Sequence, residues 1–81
     1  MNQCTNSAVG SKRYRLTVHC QGGHSYADFG KENAIETLSK IMYELSHQQI
    51  PTEAKTTYNF GKIEGGTTIN AIASTATLLY E

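Results

Sequence analysis

The stretch that decides the fold covers residues 14–48 and reads YRLTVHCQGGHSYADFGKENAIETLSKIMYELSHQ. Its first part alternates apolar and polar residues, beginning with Leu16 and Val18 on one side. That pattern is typical of a half-buried strand over residues 14–21. Its last part, residues 33–48, repeats apolar residues every three or four positions, which predicts one amphipathic helix.

The loop between that strand and that helix holds the candidate functional residue. It contains Gly22-Gly23-His24-Ser25-Tyr26, and the two glycines allow a backbone turn that a side chain would block. A histidine donates from either ring nitrogen and can carry charge near neutral pH. His24 is therefore a candidate contact for a carboxylate or a developing oxyanion. The residues alone leave a second interpretation open, a solvated loop histidine without a chemical role.

Two further strands are predicted beyond the helix. Residues 55–63 and residues 75–81 both alternate, and a turn at Glu64-Gly65-Gly66 follows the first of them. The order strand-helix-strand-strand predicts an α+β fold with a three-stranded sheet covered on one face by one helix. This is a partial ferredoxin-like (split βαβ) layer. Residues 1–11 are small and polar and are interpreted as a leader or linker, so residues 12–81 form the predicted domain.

Charge and composition narrow the classes of function. The 81 residues carry a formal net charge of zero, which argues against a general nucleic-acid binder. The sequence has no apolar run near the roughly twenty residues that cross a bilayer, so we expect no membrane partner. Cys4 lies in the polar segment and Cys20 in the first predicted strand. Two free thiols are therefore favoured over a disulfide, and they favour a cytoplasmic location.

The sequence lacks the motifs of a complete reaction centre. It has no CxxC or HExxH metal motif, no GxSxG nucleophile motif and no phosphate-binding loop. Ser25 follows His24 directly, and neighbouring side chains on an extended backbone point apart. We expect no metal, no cofactor and no catalysis within this chain alone. Polar recognition by His24 remains, with Asn70 as a companion amide after a second Gly-Gly turn.

Two ordered sets of residues resemble a known family. The first set is Gly10-Ser11-Lys12-Arg13-Tyr14, Gly22-Gly23-His24-Ser25-Tyr26, Phe29-Gly30 and Asn33-Ala34-Ile35. The second set is Asn59-Phe60-Gly61-Lys62-Ile63-Glu64-Gly65-Gly66 and Ile69-Asn70-Ala71-Ile72-Ala73. Together they resemble the dimerisation (lid) domain of the co-catalytic zinc exopeptidases related to peptidase T, carboxypeptidase G, aminoacylase and succinyl-diaminopimelate desuccinylase. The resemblance covers about Gly10 to Glu81.

The resemblance implies a role within a larger enzyme. Such enzymes hold two zinc ions in a catalytic domain, and their inserted βαββαβ domain pairs with its twin in a homodimer. His24 matches the histidine that helps hold the substrate carbonyl or the tetrahedral intermediate, in many members at the partner's active site. Asn70 matches an asparagine near the substrate, and Gly65 and Gly66 match the turn before it. The implied partners are a second copy, the parent catalytic domain and a peptide or N-acyl amino acid substrate.

The chain also departs from this family. The zinc-binding domain is absent, and the chain ends at Glu81, where relatives continue into a carboxylate-binding arginine, a helix and a strand. We therefore expect part of a lid domain that self-associates, and a parent that is a metallo-exopeptidase or amidohydrolase. Ala73 and Tyr26 replace a proline and a small residue common in relatives, which leaves the substrate open. Two alternatives are a stand-alone βαβ ligand- or RNA-binding module that stacks bases on Tyr58 and Phe60, and a purely structural interaction domain.

Overall fold

The computed structural model describes residues 3–48 and 57–81. Within these ranges the chain forms one helix, α1 (Ala34–Ser46), and six strands. The strands are β1 (Gln3–Gly10), β2 (Arg13–His19), β3 (Gly23–His24), β4 (Phe60–Gly65), β5 (Ala71–Ile72) and β6 (Thr75–Tyr80). The predicted α+β class is confirmed.

The larger sheet contains four of these strands in the order β1-β2-β6-β4. Strand β6 lies between β2 and β4 and is antiparallel to both, so β2 and β4 run parallel to each other on either side of it. Strands β3 and β5 form a separate two-stranded antiparallel sheet. The short sheet joins the loop after β2 to the segment before β6, and it carries the site described below.

Strand β1 is the main difference from the sequence-based prediction of a three-stranded sheet preceded by a leader. It pairs antiparallel with β2, from Gln3 opposite His19 to Ala8 opposite Tyr14. All of its residues are exposed, so no apolar alternation marks it in the sequence. Pairing with β2 makes it one of the two edge strands of the larger sheet, and main-chain hydrogen bonds of this kind are open to any residue except proline.

The other element boundaries shift by a few residues. Strand β4 extends through Gly65, and the chain turns only at Gly66, whose φ is 81°. The predicted turn at residues 64–66 therefore begins two residues later than expected. The start of the predicted strand at residue 55 and the predicted helix stop at Ile50-Pro51 lie outside the described residues.

Helix α1 begins where Asn33 caps it. The Asn33 side-chain oxygen accepts hydrogen bonds from the main-chain N–H groups of Ile35 at 2.9 Å and Glu36 at 3.4 Å. These are two of the N–H groups that a helix leaves without intrahelical partners. Glu36 also places a negative charge in the first turn, where the helix dipole favours it.

The core lies between α1 and the two central strands of the larger sheet. It consists of Leu16, Val18, Ala34, Leu38, Ala73, Ala76 and Leu78. Leu38 of the helix and Leu78 of β6 are fully buried. The helix start is also bonded to the sheet side, because the N–H of Ala34 donates to the main-chain oxygen of Ala73 at 2.9 Å. The segment that carries the site is thereby attached to the core.

Candidate functional site

The two-stranded sheet brings together the segments that carry the two predicted site residues. Gly23 pairs with Ile72 and His24 pairs with Ala71. One residue further on, the N–H of Ser25 donates a 3.0 Å hydrogen bond to the main-chain oxygen of Asn70. The loop with His24 and the segment with Asn70 are therefore joined through their main chains, and both side chains are exposed.

The chain from residue 70 to residue 74 holds the loop at both of its ends. Beyond the pairing at β3, the N–H of Cys20 donates to the oxygen of Ser74 at 2.7 Å, just after β2 ends. At the other end, Ala73 accepts from the first residue of α1. Gly22 is required at this crossing, because its φ is 81° and an added Cβ would lie 3.0 Å from the Cβ of Ser74.

The ring of His24 is oriented by its own loop. Its Nδ1 atom accepts hydrogen bonds from the N–H groups of Tyr26 at 3.2 Å and Ala27 at 3.4 Å. A ring nitrogen that accepts carries no proton, so in the neutral ring the proton is on Nε2. His24 therefore presents a hydrogen-bond donor at Nε2.

Asp28 closes the same loop, and sequence reasoning did not assign it this role. Its Oδ2 accepts from the N–H of His24 at 2.8 Å, and its Oδ1 pairs with Lys31 Nζ at 3.1 Å. These two contacts hold the pKa of Asp28 below its ordinary value of 3.8, the bond from the His24 amide first and the Lys31 side chain next. The only sequence signal is an acidic residue inside a loop bracketed by glycines.

Asn70 is also oriented by a neighbour. Its side-chain oxygen accepts a 2.9 Å hydrogen bond from the hydroxyl of Thr68. The remaining end of the amide is the NH₂ group, which donates. The site therefore combines two donors, Nε2–H of His24 and the NH₂ group of Asn70, on two segments that a strand pair holds side by side.

Gly65 and Gly66 contact the helix. A Cβ added at Gly65 would lie 3.0 Å from the Cβ of Ala76 and 3.2 Å from Cγ1 of Ile35, and one added at Gly66 would lie 3.2 Å from Cδ1 of Ile35. The structure thus gives both glycines a packing role, since a side chain would separate α1 from β4. Their predicted place beside a substrate stays a prediction.

Large apolar side chains flank the two donors. Tyr26, Phe29 and Ile69 have exposed fractions of 84%, 90% and 102%. Tyr26 and Phe29 follow His24 by two and five residues, and Ile69 directly precedes Asn70. A shallow depression of about 360 Å³ lies between Phe29, Asn33 and Ile69. Ser25 and Ala71, which directly follow His24 and Asn70 in the chain, line this depression, so an accessible, partly apolar surface adjoins the two donors.

The described residues do not supply a metal centre. Within residues 3–48 and 57–81, no three His, Cys, Asp or Glu side chains lie close enough together to hold a metal ion. Both cysteines are free thiols, Cys4 exposed and Cys20 half-buried. Across the same two ranges, no helix has the length and hydrophobicity needed to cross a membrane.

The aromatic residues considered for base stacking belong to a larger row on the sheet. Phe60 of β4 lies opposite Tyr80 of β6, and Tyr80 lies opposite Tyr14 of β2. Phe60 is half-buried and packs against the core, with the Tyr58 ring 5.4 Å away. Since Phe60 is half-buried against the core, this arrangement does not favour the base-stacking interpretation.

The fold and site define an α+β domain that presents polar donors from a loop and whose described residues contain no metal ligand set. The family profile of the peptidase dimerisation domain (M20_dimer) matches residues 6–81. The chain therefore belongs to the peptidase dimerisation domain family, and the predicted resemblance to the dimerisation domain of such peptidases is confirmed. No individual curated protein matches the chain significantly.

Proposed function

We propose that this chain acts as the dimerisation and lid domain of a zinc-dependent peptidase or amidohydrolase, and that it presents His24 to substrate at an active site outside this chain. Family membership over residues 6–81 supports the dimerisation role. The observation that carries the substrate role is the pairing of β3 with β5. It holds His24 beside the segment of Asn70, and both side chains are exposed.

The chemistry of the two side chains suits a carbonyl group. Nε2–H of His24 and the NH₂ group of Asn70 are neutral donors, and negative charge grows on a carbonyl oxygen as a tetrahedral intermediate forms. Donors fixed in advance stabilise that charge more than they stabilise the substrate. A peptide or an N-acyl amino acid is the substrate class in this proposal. In this proposal Gly65 and Gly66, at the turn that precedes Asn70, lie beside the substrate.

The zinc ions of the proposed enzyme belong to its catalytic domain, because the described residues offer no ligand set for them. When bound there, zinc supplies Lewis-acid polarisation of the substrate carbonyl and an activated water. The contribution of this chain to the reaction itself is limited to orientation and hydrogen bonding at the substrate oxygen.

A second copy of the chain is the proposed partner. Strands β1 and β4 are the two edges of the larger sheet in the described residues, and edge strands carry unpaired main-chain groups that can accept another strand. We expect sedimentation equilibrium to give a dimer, and a monomer with a cooperative thermal transition would contradict the self-association. The free thiols of Cys4 and Cys20 support a cytoplasmic location for the complex.

Substitution of His24 in the full-length peptidase tests the substrate role. We expect His24→Ala to lower kcat by about 10²–10³-fold, the scale of one lost oxyanion donor, while zinc content and oligomeric state stay unchanged. His19→Ala is the matched control, because His19 is an exposed histidine at the end of β2. Near-normal turnover of His24→Ala would refute the assigned role.

A further inference from the structure

We infer that Asp28 is a positioning residue for His24, which closes the loop so that two main-chain amides bind Nδ1 and the ring proton is held on Nε2. The catalytic consequence of this inference rests on the proposed function, whereas the geometry does not. Six hydrogen bonds and ion pairs within residues 23–31 support this role of Asp28, and His47, a histidine elsewhere in the chain, provides the contrast.

Asp28 closes the loop that carries His24. Asp28 and His24 are joined twice, because the N–H of His24 donates to Asp28 Oδ2 at 2.8 Å and the N–H of Asp28 donates to the main-chain oxygen of His24 at 2.9 Å. The three residues between them are thereby held in a tight turn. Lys31 binds the other carboxylate oxygen at 3.1 Å, and its N–H also donates to the Asp28 main-chain oxygen.

The Asp28 carboxylate lies very close to the backbone at Gly23. An added Cβ at Gly23 would lie 2.6 Å from Asp28 Oδ2 and 2.9 Å from Cγ, and Gly23 has a φ of 150°. Any other residue at this position would push the carboxylate away from the His24 amide. The glycine before the histidine and the aspartate after it therefore act as a pair.

The hydrogen bonds of the loop determine which nitrogen of the neutral His24 ring carries the proton. The Tyr26 and Ala27 amides can only donate, so Nδ1 of His24 must accept. His47 shows the opposite arrangement, because its Nδ1 lies 2.9 Å from the main-chain oxygen of Tyr43, which can only accept. The neutral forms of these two histidines therefore carry their protons on different nitrogens, Nε2 in His24 and Nδ1 in His47.

The position of the ring proton determines which chemical role His24 can have toward a substrate. With Nδ1 occupied by two amides, Nε2 is a donor and cannot abstract a proton. The loop thus selects hydrogen-bond donation over general-base catalysis. Asp28 does not touch the substrate in this arrangement and acts only through the position of His24.

The test is ¹⁵N NMR of the histidine rings and amide hydrogen exchange on the full chain. In the wild type we expect an unprotonated, hydrogen-bonded Nδ1 in His24, a protonated Nδ1 in neutral His47, and a protected Tyr26 amide. Asp28→Ala should move His24 Nδ1 toward its free shift and speed exchange of the Tyr26 amide about tenfold, the scale of one lost hydrogen bond. Asp28→Asn should restore part of the protection, because its amide oxygen can still accept from His24.

Two controls make the result specific to this loop. Glu64→Ala removes another exposed carboxylate paired with a lysine, Lys62, at 2.8 Å, and should leave His24 unchanged. Gly23→Ala displaces the Asp28 carboxylate without removing it and should reproduce the effect of Asp28→Ala, which covers the case in which Asp28→Ala disturbs the whole fold. A protonated Nδ1 in wild-type His24, or unchanged His24 and Tyr26 signals in both variants, would overturn the inference.

Activity separates this inference from the proposed function. In the full-length peptidase, Asp28→Ala should lower kcat with little change in KM, and Asp28→Asn should recover part of the loss. If His24→Ala leaves turnover unchanged, the proposed function fails and the NMR result still decides the role of Asp28. If His24→Ala abolishes turnover but Asp28→Ala leaves the ring signals unchanged, only the positioning role fails.

Discussion

The main-chain N–H of Ser25 donates a 3.0 Å hydrogen bond to the main-chain oxygen of Asn70. This bond extends the pairing of β3 with β5 by one residue and joins the two segments that carry the candidate donors. Because both atoms belong to the main chain, the connection does not depend on either side chain. The side chain of Asn70 can therefore be changed without separating the two segments.

Asn70→Ala is expected to leave the Ser25 amide protected from hydrogen exchange, because the substitution keeps the main-chain oxygen that accepts its bond. Under the proposed function, the same variant of the full-length peptidase should lose turnover, since the NH₂ donor is gone. The amide of Gly30, for which the described residues provide no acceptor, gives the unprotected reference. Rapid exchange at Ser25 in the variant would show that the side chain holds the loop, and any loss of turnover would then be structural.

The start of the helix provides a stability prediction. Asn33→Ala removes the side-chain oxygen that accepts from Ile35 and Glu36, and we expect it to lower the free energy of unfolding by about 1 kcal/mol. Asn33→Asp should retain most of the stability, because a carboxylate oxygen accepts the same bonds and favours the helix N-terminus. Urea denaturation measures both variants. Equal stability of Asn33→Ala and the wild type would contradict the cap.

The sequence predicts the elements whose burial leaves a periodic pattern. Helix α1 and strands β2 and β6 carry the core and alternate or repeat accordingly, so residue spacing is enough to find them. Strand β1 is not predicted, because all of its residues are exposed and leave no periodic pattern. Strands β3 and β5 have two residues each, too few for any period, and they exist only because distant segments meet.

The candidate site was likewise predictable from the sequence only in part. His24 stands out in the sequence because it follows two glycines, but its proximity to the segment of Asn70 depends on the pairing of β3 with β5. The second Gly-Gly turn made Asn70 a candidate companion of His24 in the sequence, and the family resemblance supported it, but neither predicts the strand pairing. Asp28 was missed because its role depends on the backbone of Gly23 and on a bond to the His24 amide, which no local composition reveals.

The titration of Asp28 gives a prediction of pH dependence. Its pKa in the folded chain lies below 3.8, first because of the bond from the His24 amide and then because of Lys31. A lowered pKa means that the carboxylate stabilises the folded loop above its ordinary pKa, and that this stabilisation is lost as the pH falls through the folded pKa. The contribution of the Asp28 carboxylate to loop closure should therefore be lost only below pH 3.8.

Carboxyl ¹³C NMR measures this titration residue by residue. Lys31→Met should raise the pKa of Asp28 but leave it below 3.8, because the larger cause, the His24 amide, remains. Glu64 is the internal comparison, since Lys62 lowers its pKa from 4.5 and Lys31→Met should not change it. An Asp28 pKa at its ordinary value in the wild type would contradict the loop geometry.

Strand β4 contains two glycines, Gly61 and Gly65, and comparing them distinguishes the effect of close packing from the effect of replacing any glycine in a strand. Neither Gly61 nor Gly65 has a positive φ, so alanine fits the backbone at both positions. At Gly65 the new Cβ would meet Ala76 at 3.0 Å and Ile35 at 3.2 Å, whereas at Gly61 the nearest atom is 3.6 Å away.

We expect Gly65→Ala to lower the free energy of unfolding by about 1–3 kcal/mol through overpacking under α1. Gly61→Ala should be neutral or stabilising by about 0.5 kcal/mol, because alanine restricts the unfolded chain. Urea denaturation of both variants decides, and equal effects at the two positions would show that close packing of the helix on β4 is not what requires a glycine at residue 65.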